Sequence, residues 1–183
     1  LGTGKTYLSI GFAQKFPDKK VIVLLPRFLK SNWVSQIKSF GVDDKSRFEL
    51  ISFREAPVKL ANKDLSDYIV IIDEVHKLVE RITNSRDKDQ SVYGDIYLNI
   101  QNSYKVLALT GTPIFTSASN ISFIANLVSG ENKLPFNQEI FRQKYMSINP
   151  FTSLWRGFFT ESKLNVVFLP IFSVILGTTL AAA

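Results

Sequence analysis

The chain has 183 residues, 45% of them hydrophobic and 21% charged, proportions that suit one folded domain and exclude wholesale disorder or a repeat array. Its net charge of +6, from 22 basic and 16 acidic residues, is a mild lean toward polyanionic partners and no more. With no Cys and one His, disulfides, thiolate metal sites and multi-His metal centres are excluded, and the composition fits a reducing compartment.

The opening "LGTGKT" reads as the closing half of a phosphate-binding loop of the form G-x-x-x-x-G-K-[ST]. In such a loop the backbone N–H groups of Gly2, Thr3 and Gly4 would cradle phosphates, Lys5 would neutralise them and Thr6 would hold Mg²⁺. A plain Gly-Lys-Thr turn leading into a helix accounts for the same three residue types. The first glycine of the pattern and the strand that presents such a loop would lie before Leu1, so an internal piece of a longer protein is expected. Behind the loop, Leu8, Phe12, Ala13 and Phe16 fall on one face of a predicted helix.

A strand follows at "VIVLLP", Val21 to Pro26, and then a helix with Leu29, Trp33, Ile37 and Phe40 on one face. Further strands are predicted at "FELISF", Phe48 to Phe53, and "YIVIID", Tyr68 to Asp73. The latter ends in Asp73 and Glu74. An acid pair at the C-terminal edge of a parallel sheet sits where ligands of such folds bind, and in a nucleotide site it would hold Mg²⁺ and activate water. Two acids there are equally ordinary helix-start residues favoured by the helix dipole, and His76 reads as a satisfied surface or core residue unless its neighbours form a site.

"TNSRDKDQS", Thr83 to Ser91, is polar and predicts an exposed loop or a ragged helix end. "KVLALTGT", Lys105 to Thr112, is a fourth strand running into a tight turn, with the hydroxyls of Thr110 and Thr112 flanking Gly111. Ile121, Ile124, Ala125 and Val128 then mark a helix, with Asn120 placed to cap its start and Gly130 its end. Nearly continuous apolar strands alternating with amphipathic helices predict a doubly wound α/β fold, a mostly parallel sheet with helices on both faces. Leu164 to Ala183 carries no charge over twenty residues. Two readings stand for it: a membrane span, or a buried strand and helix packed against a part of the protein outside this chain.

The order of the three motifs, all directed to one sheet edge, resembles that of superfamily 2 helicases and translocases. "LGTGKT" is similar to their motif I, "DEVH" to motif II of the DEAD/DEAH kind, with Val75 in place of the usual Ala, and "LTGTPI" to motif III. "LLPRFLKSNWVSQI" is similar to motif Ia of the Swi/Snf-type branch. Within the superfamily the texture of "IIDEVHKLVERI", "KVLALTGTPI" and "NLVSGENKLPF" resembles helicase-like proteins of large nucleocytoplasmic DNA viruses, among them the small subunit of the poxviral early transcription factor.

The resemblance implies a RecA-like P-loop domain over residues 1–130, its first strand missing, followed by a helical extension over 131–163 and the apolar tail over 164–183. It implies ATP and Mg²⁺ as ligands: Lys5 on the β- and γ-phosphates, Thr6 and Asp73 on the metal, Glu74 on the attacking water. His76, Thr110, Gly111 and Thr112 would couple that site to a nucleic-acid track, where Arg27 and Arg54 would touch backbone phosphates of DNA or RNA. A second RecA-like domain of the same full-length chain would supply an arginine finger worth ~10³-fold or more in rate, so the piece alone is expected to be inactive. Viral transcription machinery is a further implied partner, with the host cytoplasm or the virion as location. A binding or assembly module with little ATPase, and an ATPase tethered to a membrane by the tail, are the competing expectations.

Overall fold

The computed structural model describes residues 4–42, 44–84, 87–145, 166–169 and 172–178. Four parallel strands form the centre of a sheet: β1 (Lys20–Leu25), β2 (Phe48–Ser52), β3 (Tyr68–Asp73) and β4 (Lys105–Thr110). The helices are α1 (Lys5–Gln14), α2 (Lys30–Phe40), α3 (Ala56–Leu60), α4 (His76–Asn84), α5 (Asp87–Gln101), α6 (Asn120–Ser129) and α7 (Gln138–Tyr145). Two further strands, β5 (Val166–Leu169) and β6 (Phe172–Thr178), extend the order to β2-β1-β3-β4-β6-β5, with β6 antiparallel to both of its neighbours.

β1, β3 and β4 are apolar over most of their length because both faces of the sheet are covered there, whereas β2, at the end of the sheet, carries Glu49 and Ser52. Alternate residues feed two separate cores. Ile22, Leu24, Val70, Ile72, Val106 and Ala108 pack with residues of α3 to α6, while Val21, Val23, Leu25, Ile69, Ile71, Leu107 and Leu109 pack with α1 and α2. Each fully buried aliphatic side chain contributes roughly 1.5–3 kcal/mol, so the two layers together fix the β1–β3–β4 register. With the register fixed, Leu25, Asp73 and Thr110 end their strands at one edge, and chemistry carried on the loops beyond them is held by rigid elements.

Several local expectations are revised. On α1 the buried residues are Ser9, Ile10 and Ala13, whereas Leu8 is half exposed and Phe16 lies beyond the helix end. A helix this rich in apolar residues has two faces of similar character, and the left-handed Gly4 (φ 73°) at its start presents the Ile10 side to the sheet. Asn120 does not cap α6; its Oδ1 accepts N–H bonds from Phe115, Thr116 and Ser117, closing the loop in front of the helix. Gly130 does end α6, in the left-handed conformation at φ 71°. Of the Thr83–Ser91 stretch, residues 87–91 begin α5 and are not loop. That helix buries Tyr93, Ile96, Tyr97 and Ile100 against the sheet, with the Tyr93 and Tyr97 hydroxyls donating to the Phe53 and Phe123 carbonyls at 2.7 Å each. The described parts of the apolar tail are strands. Among the described residues no helix is long and apolar enough to cross a membrane.

Candidate functional site

The site forms where α1 begins and where β3 and β4 end. Gly4 precedes α1 in a left-handed conformation, and among the described residues no side chain caps the helix start or places an acid in its first turn. The N–H groups and positive dipole end at the start of α1 suit an anion. Lys5 begins the helix and its Nζ lies 3.6 Å from Glu74 Oε1. Lys5 and Glu74, far apart along the chain, are thus brought together. Thr6 is half-buried in the first turn; Gly2 and Thr3 lie outside the described residues.

Asp73 is the last residue of β3 and 6% exposed. Its Oδ2 accepts a hydrogen bond of 2.9 Å from the indole Nε1–H of Trp33, itself fully buried on α2. Burial pushes the Asp73 carboxyl above the usual carboxylate range; the Trp33 hydrogen bond opposes this, the Glu74 charge adds to it, and Lys5 again opposes. A buried carboxylate short of positive charge is a good seat for a cation. Among the described residues no three His, Cys, Asp or Glu side chains gather to hold a metal by themselves. A single carboxylate such as Asp73 and a hydroxyl such as that of Thr6 are donor types that suit Mg²⁺, which commonly takes one or two protein ligands and the rest from phosphate and water.

Glu74 stands at φ 58°, a left-handed backbone that a non-glycine residue adopts at some cost. The Val75 N–H donates to the Leu109 carbonyl at 2.9 Å and ties this turn to β4. Glu74 Oε2 is 3.3 Å from His76 Nδ1, and the same nitrogen is 3.0 Å from Thr110 Oγ1. A carboxylate can only accept, so a proton on Nδ1 satisfies both neighbours. Burial lowers the His76 pKa below its ordinary value, against the pull of Glu74, which favours the neutral ring. Thr110 also accepts from the Thr112 N–H at 3.0 Å, which folds the turn back on its own strand. Lys5, Glu74, His76 and Thr110 form one connected chain of contacts. Gly111 and Thr112 are exposed, and space around Gly111 is open.

Arg27 and Arg54 are exposed on neighbouring loops of the same edge and make no ion pair with described residues. Those loops are strapped together by Lys30 and Glu55 at 2.6 Å, with Glu55 steadied within its own loop by the Ser52 N–H, which donates to it at 2.8 Å. Neither arginine joins the Lys5 cluster. Two contributors were missed in the sequence. Trp33 reads there as a core aromatic, and the strap pairs residues 25 apart; the one available signal was that a buried indole N–H requires an acceptor.

A parallel sheet covered on both faces, with a helix start and an acid-ended strand converging at the C-terminal edge, is the layout of a RecA-like domain. No protein-family model matches the chain. It is 25% identical over 173 residues, 91% of its length, to a protein of Acanthamoeba polyphaga mimivirus provisionally named ATP-dependent RNA helicase L538. It is 27% identical over 80% of its length to the African swine fever virus termination factor NPH-I homolog, and 26% identical over 69% to nucleoside triphosphatase I of Amsacta moorei entomopoxvirus. The chain is thus related to the helicase-like proteins of large DNA viruses. It spans 36%, 24% and 22% of the lengths of these three relatives.

Proposed function

We propose that this chain is the ATP-binding part of a nucleic-acid-dependent ATPase of the helicase or translocase type, acting on DNA or RNA. The observation that carries the proposal is the 3.6 Å approach of Lys5 to Glu74 beside the buried Asp73, at an uncapped helix start. In this reading the N–H groups at the start of α1 and Lys5 bind the phosphates. Thr6 and Asp73 hold Mg²⁺, which when bound neutralises phosphate charge. Glu74 exchanges its contact with Lys5 for the attacking water and accepts its proton. His76 and Thr110 hold Glu74 from the other side, and the Thr112 turn carries any movement of Thr110 to the exposed edge. Arg27 and Arg54 bind backbone phosphates there.

In this reading a second RecA-like domain of the full-length protein completes the site, and the protein works with viral transcription machinery in the host cytoplasm or virion; the relative named as a termination factor supports the link to transcription. Phosphate release by the full-length protein, measured with and without polynucleotide, tests this reading. Stimulation by polynucleotide that disappears in Lys5→Ala is expected. Equal, near-zero rates with and without polynucleotide overturn it and leave a binding module built on the same fold.

A further inference from the structure

Trp33 is one of two tryptophans in the chain. It is fully buried on α2, and its indole N–H is spent on a carboxylate oxygen 40 residues away and not on a backbone carbonyl. A core aromatic has no need of that acceptor: Phe would fill most of the same space without a polar atom to satisfy. The bond has a clear geometric effect. A carboxylate held at one oxygen by a donor on a rigid helix loses its free rotation about the terminal bond, and the second oxygen then has one direction to face. Trp33 is held in its turn by the α2 core contacts shared with Ile37, Val23 and Leu25.

We propose that Trp33 is a positioning residue for the metal-binding carboxylate: its Nε1–H locks Asp73 in the orientation that receives Mg²⁺ with nucleotide. This rests on the reading of Lys5 and Asp73 as a nucleotide site. A donor on one oxygen leaves the cation the other, and prepaid orientation raises metal affinity without touching the nucleotide itself. The effect is therefore confined to the metal dependence of binding.

The test uses the full-length protein and Mg²⁺ with a non-hydrolysable ATP analogue. In Trp33→Phe the Mg²⁺ concentration that half-saturates analogue binding is expected to rise roughly tenfold, with analogue affinity in EDTA unchanged. An unchanged Mg²⁺ dependence in the folded variant overturns the proposal. A second measurement does not depend on that variant folding. In protein labelled with ¹⁵N-tryptophan, one indole resonance is identified by its shift in Asp73→Asn. That resonance is expected to move when Mg²⁺ and analogue are added together and to stay when analogue is added with EDTA. If it ignores Mg²⁺ while Lys5→Ala abolishes analogue binding, the nucleotide site stands and the role of Trp33 falls. If Lys5→Ala leaves analogue binding intact, the site reading itself falls, and this inference with it.

Discussion

The two ends of the sheet make an instructive pair. At the N-terminal end of the strands, Pro17 to Lys20, Asp44, Ser46, Arg47, Glu49 and Tyr68 line a charged pocket of about 320 Å³. Most of its charges are matched: Lys19 meets Asp67 at 2.6 Å, Lys63 meets Glu49 at 2.6 Å, and Arg47 donates to the Ala13, Phe16 and Lys19 carbonyls in and after the last turn of α1, while Lys20 lies over the Tyr68 ring. At the C-terminal end the matching is poorer. Lys5 and His76 share Glu74 at 3.6 and 3.3 Å, Asp73 is buried with a neutral donor, and Arg27 and Arg54 have no ionic partner among the described residues. A large polar hollow with saturated groups is architecture. Under-neutralised groups gathered at a sheet edge are the ones suited to meeting a charged ligand.

The sharpest break of that contrast is a pair of substitutions, one at each end. Asp73→Ala should lower ATP hydrolysis by the full-length protein ~10²-fold or more, whereas Lys19→Ala should change it less than about twofold. A similar loss from both would dissolve the distinction between the ends. Next in size is Arg47→Ala, which removes charged donors from the carbonyls that follow α1 and should cost about 2 kcal/mol of stability by urea denaturation, with nucleotide affinity unaltered in the folded protein. Smaller again is the effect of Arg27→Ala or Arg54→Ala. Each should weaken polynucleotide binding several-fold and reduce the slope of log affinity against log salt by about one; a salt slope identical to wild type would remove that arginine from the track.

The smallest effect is a pH dependence at the strap between the two exposed loops. The Lys30 hydrogen bond, with the Ser52 bonds, holds the Glu55 carboxyl down to about 2. A depressed carboxylate contributes stability above its unfolded value of about 4.5 and loses it as pH falls toward 2. Glu55 is 41% exposed, so solvent screening reduces the contribution to about 1 kcal/mol or less. Comparing urea midpoints of wild type and Glu55→Gln should show a difference near neutral pH that narrows below about pH 4.5 and closes only as the pH approaches 2. A gap that persists in acid would mean that packing and not charge holds the strap.

Much of this was legible in residue order. The four parallel strands stand out because a strand buried on both faces must be apolar throughout, and "YIVIID" and "KVLALT" have no other sensible home. The meeting of Lys5 with Glu74 follows once both are placed on one edge. Contacts set by three-dimensional packing were hidden. Trp33 and Asp73 carry no mutual signal along the chain, and Asn120 looks like a helix cap until the loop before it turns its N–H groups inward. The polar start of α5 disguised a helix whose hydrophobic stripe begins only at Tyr93, and the two apolar faces of α1 left periodicity with no basis for choosing between them.

Glu74 holds a last implication. At φ 58° its backbone occupies a conformation in which Cβ crowds the chain and glycine is at ease. Glycine or asparagine would sit there with less strain. An acid in that conformation swings its carboxylate off the strand end and toward Lys5 and His76, so backbone comfort is given up for the placement of a charge.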